Sequence, residues 1–368
     1  MRIHRGQLTA LCAVALLSPA LRLCPSLSAQ AAGRAAWLSI LLALPPLLGY
    51  AFLLCRLPCG LCELAEQGLG RRFGRMAELL LGLWLILEAG FSLRAGAERM
   101  ILALFPSAGP GLFVVCMGLL ALIAALGSLR SLLRVARMVL PFLLLALVPV
   151  LLFALRGLDP GELWPLGPGD LPGALKGALP VLDVLSLGLY LPWLLLPRGL
   201  TPRTRLRDWG LWLGWMGLLL LALCVSVLGR FGPELSARLS LPFFTLVRNL
   251  VFFRTLERLE ALVVALWIFP DFLLTSALLY GAQRCLRPAL GLPAEAAPVR
   301  RFDLRGGRWL IPVCALMAIG LGLALAPDQH SLETWSRRII PACNLLVAFG
   351  LLPIIYIVGS IKKKRQAP

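Results

Sequence analysis

The sequence has few acids, few histidines and no long polar stretch. Of its 368 residues, 18 are Asp or Glu and two are histidine, His4 and His330, against 36 Lys and Arg. Both histidines sit near the ends of apolar segments, which excludes a histidine-based triad and a histidine metal site. There is no phosphate-cradling glycine loop, no dinucleotide fingerprint and no short-period repeat, so nucleotide chemistry and solenoid architectures are set aside. An enzyme acting on lipid would need a cluster of His, Asp and Ser, and none is present. Charged residues make up 15% of the chain, where a soluble domain holds about a quarter. No room is left for a sizeable soluble domain.

What fills the chain is apolar. Hydrophobic residues are 59% of it and the mean hydropathy is +0.86. A helix crosses the hydrocarbon core with roughly 20 mostly apolar residues. Ten such spans can be placed, at about 7–24, 35–55, 76–104, 111–127, 138–155, 178–197, 209–228, 256–283, 308–326 and 338–359. They make residues 1–368 a single polytopic, all-α transmembrane domain in the lipid bilayer. Span three exceeds what a bilayer requires and is expected to tilt or protrude. Arg2 and Arg5 before the first apolar run resemble a signal peptide, but no polar mature domain follows, so the run is read as span one.

The net charge of +18 does not point to nucleic acid. The basic residues lie in short loops between spans, without the aromatic interleaving of a nucleic-acid surface. The N-terminus, 56–75, 128–137, 198–208, 284–308 and the tail carry 23 of the 36, including Lys362, Lys363, Lys364 and Arg365. The opposite side carries nine. That asymmetry places both termini in the cytoplasm and requires an even number of spans. Outer segment 156–177 is rich in Pro and Gly and reads as turns. Segments 229–255 and 61–75 are amphipathic and suited to the interface.

Of ten cysteines, Cys12, Cys116, Cys224, Cys314 and Cys343 lie inside spans as small hydrophobes. Cys55, Cys59 and Cys62 form a tight cluster with zinc-like spacing, but no second ligand pair follows. A structural role is expected there, with no metal and no cofactor.

Polar or broken positions inside spans are where function is sought. Span one contains Leu17-Ser18-Pro19-Ala20, and a mid-span proline removes a backbone hydrogen bond and invites unwinding. In span six, Asp183, Ser186 and Tyr190 share a helical face, with Leu187, Gly188 and Pro192 alongside. Breaks in spans one and six together suggest a five-plus-five inverted repeat with its ligand near the midplane. Ordinary proline kinks would leave the same pattern. Span three holds Glu88 without an obvious partner, and Arg94 and Glu98 spaced to pair. Span eight offers Pro270 and Asp271, then Thr275 and Ser276, whose hydroxyls either face the pocket or bond back to their own helix.

Several motifs agree on one family. Glu257-Arg258-Leu259-Glu260, followed by an apolar run to Trp267, resembles a signature block of the spore germination permeases. Arg94 to Glu98, Glu162-Leu-Trp-Pro165 before span six, Leu187-Gly188, and Gly350-Leu-Leu-Pro353 before a basic tail are similar to its other features in order and spacing. The resemblance covers essentially the whole chain. It implies a LeuT-like fold of the amino acid–polyamine–organocation superfamily. It further implies the B subunit of a nutrient germinant receptor in the spore inner membrane, acting with an A subunit and a lipoprotein C subunit. Such a subunit is not an enzyme; it binds a small germinant, often an amino acid. The expected ligand positions are Leu17, Ser18, Pro19, Ala20, Glu88, Asp183, Ser186, Leu187, Gly188, Tyr190, Thr275 and Ser276, with Arg94, Glu98, Glu257, Arg258, Glu260 and Trp267 as structural motif. An amino-acid/cation secondary transporter of the same fold is the rival reading.

Overall fold

The structure, a computed structural model, describes residues 5–57, 59–103, 105, 107–196, 205–249, 259–292 and 308–358. Its helices begin and end where local chemistry allows. α1 (Arg5–Ala32) passes to α2 (Ala36–Cys55) through one 3-10 turn, Gly33–Ala35. α3 (Leu61–Ala103) bends at Gly70, where φ 82° and ψ 170° suit a residue without a Cβ. The bend separates segment 61–69 from the spanning helix. α4 (Pro110–Ala125) opens on a proline, whose missing N–H has no partner in the first turn anyway. At its other end Arg308 donates to the carbonyls of Leu126 and Gly127, a cation placed where a helix terminus is negative. α5 (Leu129–Ala154) is capped by Ser128, which accepts from the Ser131 amide at 3.3 Å.

Residues 155–170 form short 3-10 turns, as their Pro and Gly content suggests. α6 (Leu171–Leu195) and α7 (Leu206–Arg238) follow, with a second glycine bend at Gly232 immediately before Pro233. A short outer helix, α8 (Pro242–Asn249), precedes α9 (Leu259–Ala289) and α10 (Leu310–Ala324). The last span is irregular. α11 (Gln329–Thr334) and α12 (Ile340–Leu345) are separated by a π-helical turn at Trp335–Ile339, and a second follows at Leu346–Leu351. Asp328 caps α11, accepting from the Ser331 amide at 2.7 Å, and Ser331's hydroxyl and amide hold that carboxyl below the usual range.

Among the described residues ten helical spans result: α1 to α7, α9, α10 and the α11–α12 run. α1, α2, α6 and α7 pack as one group; α3, α4, α9 and α10 pack as another. Each group draws two neighbouring spans from the first five and two from the second. That is the arrangement of a five-plus-five inverted repeat. Side chains such as Leu112, Leu145, Leu211, Leu218 and Leu316 project outward, as lipid-facing positions do. Hydrocarbon is as apolar as leucine, so contact between helices depends on close packing. Gly90 of α3 and Gly322 of α10 meet backbone to backbone: a Cβ on Gly90 would lie 2.8 Å from the Ala318 carbonyl oxygen, and one on Gly322 3.0 Å from that of Gly90.

The expected breaks in spans one and six are absent. α1 runs unbroken through Ser18-Pro19-Ala20, and α6 through Gly188 and Pro192. A membrane helix tolerates proline where its neighbours accommodate the freed backbone group. At Gly188 a Cβ would collide with the Leu16 side chain of α1 and the Trp212 ring of α7. The space that unwinding would open is filled by side chains.

Gly322→Val should therefore force α3 and α10 apart, at about 1–3 kcal/mol. A lower thermal midpoint of the purified protein in detergent, with Gly320→Val nearly silent because nothing lies near it, is the expected result.

Candidate functional site

A connected polar cluster lies buried between the two helix groups. The Trp84 indole of α3 donates to the Tyr190 hydroxyl at 2.9 Å, and Tyr190 donates to Asn344 Oδ1 at 2.7 Å. The Asn344 amide nitrogen donates to the Asp183 carbonyl oxygen at 2.6 Å and to Asp183 Oδ1 at 2.8 Å, and reaches Ser186 Oγ at 3.3 Å. Ser186 itself donates to the Asp183 carbonyl at 3.0 Å. The helical face of Asp183, Ser186 and Tyr190 thus meets one asparagine of the last span. The two π turns flank that asparagine, and such turns recur at functional sites because they free backbone groups and re-aim side chains.

Glu88 projects from α3 near this cluster. It is buried, one carboxyl oxygen has no hydrogen-bond partner among the described residues, and it lies within electrostatic reach of Asp183 and Arg22. An unpartnered carboxyl at this depth is costly. A proton, a cation or a ligand amine would satisfy it.

A second polar layer sits toward the outside. Arg94 pairs with Glu98 at 2.6 Å and donates to the Ala326 carbonyl at 2.7 Å. Arg99 and Asp271 form a buried ion pair that ties α3 to α9. Asp271 thus faces α3, and its other oxygen has no hydrogen-bond partner among the described residues. Arg22 of α1 reaches Ser336 Oγ at 3.4 Å and stands 5.7 Å from the Phe91 ring centre. Above these side chains lies a narrow cleft with a cavity volume of about 50 Å³, partly open to the outside.

The remaining expected positions divide. Leu17, Ser18 and Ala20 are buried in α1, Pro19 is half-buried, and Ser18 Oγ has no partner among the described residues. Leu187 and Gly188 are packed in the core. Thr275 donates to the Asp271 carbonyl at 2.9 Å and Ser276 to that of Phe272 at 2.6 Å, so both hydroxyls bond within α9. The Trp267 ring packs at a tilt on Phe243 of α8, with centroids 4.7 Å apart. Glu257 and Arg258 lie outside the described residues, and of Glu260 only the helical backbone is described. Cys62 Sγ is 3.5 Å from Cys285 Sγ, and no group of three potential metal ligands occurs among the described residues.

Trp84, Asn344 and Arg22 were missed from the sequence. Each is a polar or amphipathic group in an apolar span, the signal already applied to Asp183 and Glu88.

Residues 2–294 match the family described as spore germination protein. The chain belongs to that family. In structure it is similar to a Na⁺-coupled sialic acid symporter solved in a substrate-bound, outward-open state, with TM-score 0.54 and 13% identity over 97% of this chain and 87% of that one. At that identity the likeness establishes the LeuT-like fold. No curated protein matches the chain in sequence. The protein is an integral, multi-pass membrane protein of the permease type. Asn344 falls beyond the matched residues, in the span where the helix is irregular.

The Arg99–Asp271 pair yields a prediction. Arg99→Leu or Asp271→Leu alone strands a buried charge and should destabilise by about 3–5 kcal/mol, whereas the double substitution should recover most of the loss. A four-member thermal unfolding cycle in detergent checks it.

Proposed function

We propose that this protein is the membrane-embedded B subunit of a nutrient germinant receptor. It binds a small germinant, an amino acid, in the transporter-like core and signals with an A subunit and a lipoprotein C subunit in the spore inner membrane. The supporting observation is the cluster in which Asn344 joins Asp183, Ser186 and Tyr190. One side chain of the last span there holds the polar face of span six. Family membership and the permease fold supply the setting.

In this reading the germinant's amine meets Glu88 and Asp183, while Ser186 and Tyr190 supply neutral hydrogen bonds. Leu17 to Ala20 of α1, Leu187 and Gly188 of α6, and Thr275 and Ser276 of α9 form the surrounding wall. Leu16 packs on Gly188, so α1 shifts when the site fills. A ligand moves such an equilibrium only by binding one arrangement better than the other. Hydrogen bonds taken over from Asn344 provide that difference, because they release the last span.

Asp183→Asn and Asn344→Ala in the spore should raise the germinant concentration for half-maximal response by about tenfold or more, a change of about 1.4 kcal/mol or more. Loss of optical density of spore suspensions reads the response, and immunoblotting confirms equal protein. Wild-type responses in both variants would defeat the site. Vigorous uptake of labelled amino acid by the chain alone in liposomes would favour the secondary-transporter reading.

A further inference from the structure

The outer cleft holds an imbalance of charge that its own residues do not resolve. Its charged walls are Arg22, Arg99 and Arg337 against Glu98 and Glu333. Each acid is already taken: Glu98 by Arg94 at 2.6 Å and Glu333 by Arg337 at 3.2 Å. Arg99 is matched from behind by Asp271. Arg22 is left over. Its contacts are the Ser336 hydroxyl at 3.4 Å and the Phe91 ring at 5.7 Å, and its Nε has no hydrogen-bond partner among the described residues.

We infer that this cleft is a binding site for the carboxylate of a small organic anion, with Arg22 as its receptor and Ser336, whose hydroxyl donates to the Leu332 carbonyl at 2.8 Å, lining the site beside it. A half-buried guanidinium whose direct contacts are neutral has lost hydration without gaining a contact ion pair, so an anion entering from outside relieves a standing penalty. Guanidinium is planar and matches a carboxylate with two parallel N–H···O bonds. The aromatic face of Phe91 supports the cation without competing for those donors. Arg94, Arg99 and Arg337 do not offer the same, since each is engaged by an acid.

The site is separate from the Asp183–Asn344 cluster and goes beyond the germinant reading. Arg22 also lies within electrostatic reach of Arg99, which repels it, and of Asp271, Glu88 and Glu98, which attract it. An anion bound outside therefore weakens the hold of Arg22 on Glu88, which couples the cleft to the buried core.

Thermal unfolding of the full chain in detergent tests this, with sodium propionate and propionamide as probes and sodium chloride at matched ionic strength as baseline. Propionate should raise the unfolding midpoint saturably and propionamide should not. Arg22→Gln should abolish the propionate shift. Ser336→Asp, which supplies an internal carboxylate beside Arg22 and keeps the charges balanced, should abolish it as well. Asp183→Asn should leave it intact, so failure here is distinguishable from failure of the germinant site. Three results overturn the proposal: no propionate shift in the wild type, equal shifts with acid and amide, or a full shift in Ser336→Asp.

Discussion

A polar group in the hydrocarbon core has only the protein to bond with. In water an orphaned amide or carboxyl finds solvent; at the depth of Asp183 or Asn344 each must find another side chain or backbone group. The interior polar atoms of this chain consequently gather in layers. One joins Trp84, Tyr190, Asn344, Asp183 and Ser186. The other joins Arg94, Glu98, Arg99 and Asp271. Between them Glu88 keeps one oxygen without a hydrogen-bond partner among the described residues. The apolar helices pack around these layers, with small residues such as Gly90 and Gly322 at the tightest crossing.

The sequence disclosed spans well and breaks poorly. Hydropathy follows from the thickness of the bilayer alone, so the ten segments and the all-α architecture could be read directly. The turn-rich stretch after α5 was legible too, because Pro and Gly act locally. Proline in span one was misleading. Whether Pro19 unwinds its helix depends on whether neighbours leave room, and Leu16, Gly188 and Trp212 leave none. That is a property of three helices together and has no local signature. The irregularity falls instead in the last span, where Asn344 sits between π turns. Asp183, Ser186 and Tyr190 could be placed on one face from their spacing. Their partner lies more than 150 residues away in the chain, and a single sequence gives no means of pairing them.

The fold is that of transporters, while family membership points toward germination. The two are reconciled by energetics. A pump and a sensor both need a site whose filling changes the balance between two arrangements. They differ in what the rearrangement drives. Side chains packed between α1, α6 and α7 at Gly188 describe an arrangement filled at that crossing.

The two π turns carry a mechanical consequence. Each holds about one residue more than an ordinary helical turn, so they act as slack stored on either side of Ile340–Leu345. Tightening one of them rotates the intervening segment by about 100° relative to the helix beyond it. If the other loosens in step, both ends of the span stay where they are. Asn344 is then mounted on a swivel, and the grip on Asp183 can be released without moving a whole helix through the bilayer.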